Sequence, residues 1–158
     1  KYSISVHSGP SALWVALKAA GVKAGDEVII PGYTFIATAS AVILANAVPV
    51  FADINLNTGN IDPAEVASLI TKKTQAIIPV HVAGAPADMD ALLSISEKYG
   101  IPIIEDAAQA HGAEWNGLRA GSFGRAARRR CSMNLSDMPC LPPALTLLAL
   151  PIYKVLRL

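Results

Sequence analysis

Residues 101–112, Ile-Pro-Ile-Ile-Glu-Asp-Ala-Ala-Gln-Ala-His-Gly, decide how this chain is read. A short apolar run ends abruptly in two carboxylates, small residues and a glutamine. A continuous apolar run of this length is consistent with a strand buried on both faces, the environment of a parallel sheet. In an open parallel α/β sheet, ligands sit outside the carboxyl ends of the strands, so Asp106 and Gln109 fall where chemistry is usually found. Asp106 has two readings at this point: a cap for the turn or helix that follows, or a carboxylate that faces a ligand.

Working outward, the segments before residue 101 repeat one pattern. Tyr2 to His7 is a β-like run, and Ser8-Gly9-Pro10-Ser11 leads into a helical pattern from Ala12 to Ala20. Ser8 or Gly9 can cap that helix, Pro10 suits its first turn, and Gly21 ends it. A small-residue turn at a helix start gathers free N–H groups, so it is either an anion cradle or a plain joint. Val28 to Ile30 reads as a strand, followed by a helical segment that opens at Tyr33 and continues to about Leu44. Phe35 lies just past the strand end, where a ring either stacks on a flat ligand or joins the core. Val48 to Ala52 is a strand, Asp62-Pro63-Ala64-Glu65 opens a helix reaching about Ile70, and Thr74 to Val80 is another strand. His81 at its end either faces a ligand or is satisfied by backbone, and a helix from Ala91 to Tyr99 leads to Ile101. Strands alternating with helices predict an α/β fold, a three-layer α/β/α arrangement on a mostly parallel sheet. The strand ends at Ser8 to Ser11, Phe35, His81 and Asp106 to Gln109 can converge on one site.

Composition bounds the rest. The 158 residues are enough for one domain with a core, and 53% hydrophobic against 16% charged residues is a globular composition. Cys131 and Cys140 have no zinc-type partners at ligand spacing, so no metal site is expected, and they suit a reducing, cytoplasmic setting. No signal peptide opens the chain, and the apolar stretch from Ala144 to Ile152 is about half a bilayer span and contains Pro151, so no membrane partner is expected. Residues 1–124 hold 7 basic and 11 acidic residues, net −4, whereas residues 125–158 hold 6 and 1, net +5. The cluster Arg125, Arg128, Arg129 and Arg130 lacks aromatic interleaving and a binding motif; it reads as a solvated or disordered segment, and no nucleic-acid partner is expected.

A carboxylate at the end of a buried strand has one special use: facing the nitrogen of a pyridine ring, it keeps that nitrogen protonated and lets the ring accept electrons. Four stretches bear on this. Ser-Gly-Pro-Ser-Ala-Leu at 8–13, Ala-Gly-Asp-Glu-Val-Ile-Ile-Pro-Gly-Tyr-Thr-Phe at 24–35, Pro-Val-His-Val-Ala-Gly-Ala-Pro-Ala-Asp-Met-Asp at 79–90 and Ile-Ile-Glu-Asp-Ala-Ala-Gln-Ala-His-Gly-Ala at 103–113 closely resemble the DegT/DnrJ/EryC1/StrS sugar aminotransferases. The resemblance extends to about residue 124, through Trp115-Asn116-Gly117 and Gly121-Ser122-Phe123-Gly124. It implies part of the large domain of a pyridoxal-phosphate enzyme of the aspartate aminotransferase fold type. Such enzymes move an amino group, usually from glutamate, to a nucleotide-linked keto sugar in polysaccharide or antibiotic sugar biosynthesis, and are generally homodimers with sites at the subunit boundary. Carried over, Asp106 would pair with the pyridinium nitrogen, Gln109 would contact the ring or its phenolic oxygen side, Phe35 would stack on the ring, and Ser11 would hold the phosphate. Pro10 stands where the family usually has threonine.

The resemblance also implies what is altered. The family continues beyond Gly124 with a short strand and a Phe-Ser-x-x-x-x-Lys-Asn segment, whose serine binds phosphate and whose lysine bonds the cofactor and moves the proton. Cys131-Ser132-Met133-Asn134-Leu135-Ser136-Asp137 can be laid on that motif with about three extra residues before it. Ser132 then takes the phosphate role and Asp137 stands in the lysine's place. A carboxylate cannot make that bond, Lys154 lies in a tail without family match, and no catalytic residue is assigned. A dehydratase-like branch, with histidine for lysine, is not matched by Asp137 either. The expected division is residues 1–124 as a partial cofactor-binding large domain and 125–158 as a basic, leucine-rich tail from a frame-shifted gene end or a fragment, truncated at both ends relative to the family. Two readings of function follow: an aminotransferase by ancestry, inactive in this chain for want of the lysine, or a non-catalytic α/β remnant that binds cofactor or nucleotide sugar.

Overall fold

A computed structural model describes residues 3–130 and 154–157. In chain order these form β1 (Ser3–Val6), α1 (Gly9–Ala19), β2 (Glu27–Pro31), α2 (Ala37–Leu44), β3 (Val48–Ala52), α3 (Pro63–Leu69), β4 (Thr74–Ile77), a 3₁₀ turn (Val82–Gly84), α4 (Met89–Tyr99), β5 (Ile104–Ala107), a hairpin of β6 (Glu114–Trp115) and β7 (Leu118–Arg119), β8 (Ala126–Arg130) and β9 (Lys154–Arg157). The helices start where local chemistry caps them. The Ser8 hydroxyl accepts from the N–H of Ser11, Asp62 from Ala64 and Asp88 from Ala91, while Pro10 and Pro63 lie in first turns that need no donor there. Gly100, at φ +67, closes α4 in the left-handed conformation that glycine adopts freely.

Strands pair in the orders β3-β2-β4 and β5-β8-β9-β1, and parallel bridges Ile77–Ile103 and Val80–Asp106 join the two sets into one sheet. β2 is parallel to β3 and β4, β5 is parallel to β8, and β9 runs antiparallel between β8 and β1. Side chains alternate across this sheet, which splits the core into two layers. Val28, Ile30, Ala76, Ile78 and Ile104 face α1 and α2, whereas Ile29, Ile77 and Ile103 face α3 and α4. Each buried isoleucine contributes about 1.5–3 kcal/mol by its removal from water. The expected three-layer α/β/α fold with a mostly parallel sheet is the observed one.

Several boundaries differ from the sequence reading. The helix expected from Tyr33 begins at Ala37, and no side chain caps it. The strand expected to run to Val80 loses its continuous ladder at Ile77; Pro79 has no N–H to donate, although its carbonyl accepts from Asp106. The larger correction concerns the arginine cluster, which is not a solvated segment throughout: Ala126–Arg130 is a strand, and Arg128 within it is buried.

Candidate functional site

Because β1, β2, β4, β5 and β8 all point one way, their carboxyl ends share one edge, and the segments leaving that edge carry the residues singled out above. Asp106, two residues after Ile104, projects to the α1 and α2 side and is only 3% exposed. Its Oδ2 accepts from the Thr38 hydroxyl at 3.0 Å and from Arg128 Nη1 at 3.3 Å; its Oδ1 accepts from the N–H of Ala108 at 3.3 Å. The capping reading of Asp106 therefore holds for one oxygen, while the other meets a polar cluster of Thr38 and Arg128. Thr34 and Thr38, one helical turn apart, share a hydrogen bond of 3.0 Å and extend that cluster.

Glu105 projects to the opposite face and does different work. Its two oxygens accept from the backbone N–H groups of Gly121, Phe123 and Gly124 and from His81 Nε2, with no exposure to solvent. His81 Nδ1 accepts from the N–H of Ala87, so the ring proton lies on Nε2 and is donated to Glu105. Buried and paired on both nitrogens, His81 is a structural histidine. A Cβ added at Gly124 would stand 2.6 Å from the Ile103 carbonyl oxygen, which explains the glycine where this loop crosses β5.

Gln109 is exposed, and its Oε1 accepts from the N–H of Ala83 at 2.9 Å. Ala83 sits at φ +51, a conformation disfavoured for alanine; Gln109 pins it, and Asn60 Oδ1 pins the neighbouring Val82 at 3.1 Å. Ser11, on the first turn of α1, shares hydrogen bonds with Ser8 Oγ at 2.8 Å and His7 Nε2 at 3.1 Å. Phe35 is 66% exposed in the segment between β2 and α2, so the core reading for its ring does not apply. Ser132 and Asp137 lie outside the described residues. Thr38 and Arg128 are the partners that sequence reasoning missed. The Thr34, Thr38 spacing offered a signal in an otherwise small and apolar stretch; Arg128 offered none, because a run of arginines reads as solvated charge.

Lysines with described side chains all belong to the opposite edge. Lys18 lies in the last turn of α1, where it donates to the Ala45 carbonyl, and Lys23, Lys72, Lys73 and Lys98 lie on segments that enter β2, β4 and β5. Lys154 differs: the register of β9 sets its backbone beside Val6 and Arg130, at the carboxyl ends of β1 and β8. A cavity of about 330 Å³ near Leu93, Ser96, Ile101 and Phe123 does not include Asp106, Thr38 or Ser11. Among the described residues no cluster of His, Cys, Asp or Glu could hold a metal ion, and no helix is long and apolar enough to cross a membrane.

A sheet of this order that brings a buried carboxylate to the same edge as a helix start is the fold of the pyridoxal-phosphate-dependent aminotransferases, to which the matching solved structures belong. Within that class, the chain belongs to the DegT/DnrJ/EryC1/StrS aminotransferase family, whose model matches residues 1–128. It is 51% identical over 127 residues to the pleiotropic regulatory protein of Geobacillus stearothermophilus, a match covering 80% of this chain and 34% of that protein. It is 46% identical over 125 residues to L-glutamine:2-deoxy-scyllo-inosose aminotransferase of Streptomyces fradiae, covering 79% and 30%. NtdA from Bacillus subtilis, solved with bound cofactor PMP, matches with a TM-score of 0.79 and 31% identity over 99% of this chain and 33% of its own. The chain thus spans about a third of the length of the curated relatives it matches.

The residues present fit the cofactor of that class. A pyridine ring with a phosphate arm asks for a carboxylate at its nitrogen, an aromatic face and a helix start rich in N–H and hydroxyl groups. Asp106, Phe35 and the Ser8 to Ser11 turn are of those kinds, on one edge of the sheet.

Proposed function

We propose that this chain is a cofactor-holding portion of a pyridoxal-phosphate-dependent aminotransferase that acts on a keto sugar, and that this polypeptide binds the cofactor reversibly without turning it over. The carrying observation is Asp106, a buried carboxylate at the carboxyl edge, oriented by the Thr38 hydroxyl. When bound, the cofactor supplies an electron sink for a carbanion at the amino-bearing carbon. Asp106 would pair with the ring nitrogen, Phe35 would stack on the ring, and Gln109 would contact the ring or its phenolic oxygen side. Ser11 and the N–H groups at the start of α1 would hold the phosphate, a role the family resemblance also gives to Ser132. The substrate of the whole enzyme is a nucleotide-linked keto sugar, with glutamate or a similar amino donor, and the assembly is a homodimer in the cytoplasm. A keto substrate agrees with the inosose that names the S. fradiae relative, a ring ketone close in chemistry to a keto sugar.

Turnover is absent on this reading because the described lysine side chains stand at the wrong edge and Asp137 replaces the family's lysine. One observation favours a second reading, that of an active enzyme with a substitute lysine: the register of β9 brings Lys154 to the carboxyl edge. Titration of the full chain with pyridoxal phosphate, followed by absorbance, tests the main reading. Saturable binding is expected, weakened about tenfold or more in Asp106→Asn, which keeps the shape but not the charge. Equal affinities in the two proteins would contradict it.

A further inference from the structure

We infer that Arg128 is a built-in competitor for Asp106: its guanidinium shares the carboxylate that a protonated pyridine nitrogen needs, and the chain therefore holds this cofactor more weakly than Asp106 alone would. The inference rests on the cofactor reading of Asp106 given above. The β5 and β8 register sets Asp106 directly opposite Arg128, and the parallel alternation puts both on the face toward α1 and α2. Arg128 is 7% exposed, and its Nη1 lies 3.3 Å from Asp106 Oδ2, the same oxygen that accepts from Thr38. Oδ2 is thereby doubly engaged, while Oδ1 accepts, among the described residues, only from the N–H of Ala108, so the competition is for the charge of the carboxylate. Among the described residues no second carboxylate forms an ion pair with Arg128, and its Nε is buried without a hydrogen-bond partner. The guanidinium is thus held in the interior chiefly by the one negative charge of Asp106, and a buried cation without that charge is strongly unfavourable. A ring N–H⁺ brought to Asp106 would be a second cation sharing a single anion, and each cation weakens the hold on the other.

The full chain tests this with two probes, pyridoxamine phosphate, which has an amine in place of the aldehyde and so cannot bond a lysine, and its 1-deaza analogue, which has carbon in place of the ring nitrogen. The wild-type chain is expected to prefer the nitrogen-bearing probe only modestly, by about tenfold, since Asp106 is shared with Arg128. Arg128→Gln removes the charge while keeping a polar side chain, and is expected to bind pyridoxamine phosphate about tenfold tighter than wild type and to prefer it more strongly to the deaza analogue. Adding Asp106→Asn to that variant should abolish both gains. A preference for the nitrogen-bearing probe as large in the wild-type chain as in a folded Arg128→Gln overturns the inference. So does a folded Arg128→Gln with unchanged or weaker affinity, as would follow if the arginine simply swings aside. Failure of every protein to bind either probe overturns the cofactor reading as well, which separates the two failures.

Discussion

Adjacent carboxylates at 105 and 106 divide their labour because a strand turns successive side chains to opposite faces. Glu105 gathers three backbone N–H groups and His81 on the α3 and α4 side, whereas Asp106 meets Thr38 and Arg128 on the other. Glu105 is therefore the residue that fixes the chain's return from the β6–β7 hairpin into β8, and with it the position of Arg128 beside Asp106. Its loss would leave those N–H groups buried without acceptors, a penalty larger than the net worth of any one hydrogen bond. Glu105→Ala is expected to destabilise the chain by about 3–5 kcal/mol. Urea denaturation measures this; a loss under about 1 kcal/mol would mean that the loop finds other acceptors.

At the scale of elements, what was legible follows from which signals are local. Apolar runs at Val28–Ile30, Val48–Ala52 and Ile101–Ile104, and caps at Ser8 and Asp62, act over a few residues and mark the places of strands and helices, whereas the cap at Asp88 starts α4 at Met89, two residues before the expected Ala91. Asn116-Gly117, at φ +48 and +77, is an equally local hairpin signal and joins β6 to β7. β8 was not legible. Its arginines carry no strand pattern, and it forms because β5 offers an open parallel partner and Asp106 offers Arg128 a counter-charge. The same holds for β9, whose place between β1 and β8 is a matter of sheet completion rather than propensity. Ending the chain after Arg130 should strip β1 and β8 of a partner and expose two strand edges. Hydrogen exchange at the amides of Ser3–Val6 should then lose protection relative to the full chain; unchanged protection would show that β9 does not hold that edge.

For the whole molecule, the residues left facing outward are as informative as the core. Ile36, Ile43 and Leu44 around α2, and Val48 and Phe51 on β3, are each about half exposed or more, on a chain that spans about a third of its relatives' length. Apolar surface of that kind is where another protein surface can pack. Asp106, Thr38 and Arg128 all lie within residues 3–130, although β9 completes the sheet between β8 and β1. The most direct test is to saturate the full chain with pyridoxal phosphate, reduce it with borohydride and map any lysine adduct by peptide mass. Binding that depends on Asp106, with no single lysine labelled in stoichiometric amount, is the predicted result. Stoichiometric labelling of Lys154 would contradict it and make the tail the donor of a working lysine, and an absence of binding would remove the cofactor site altogether.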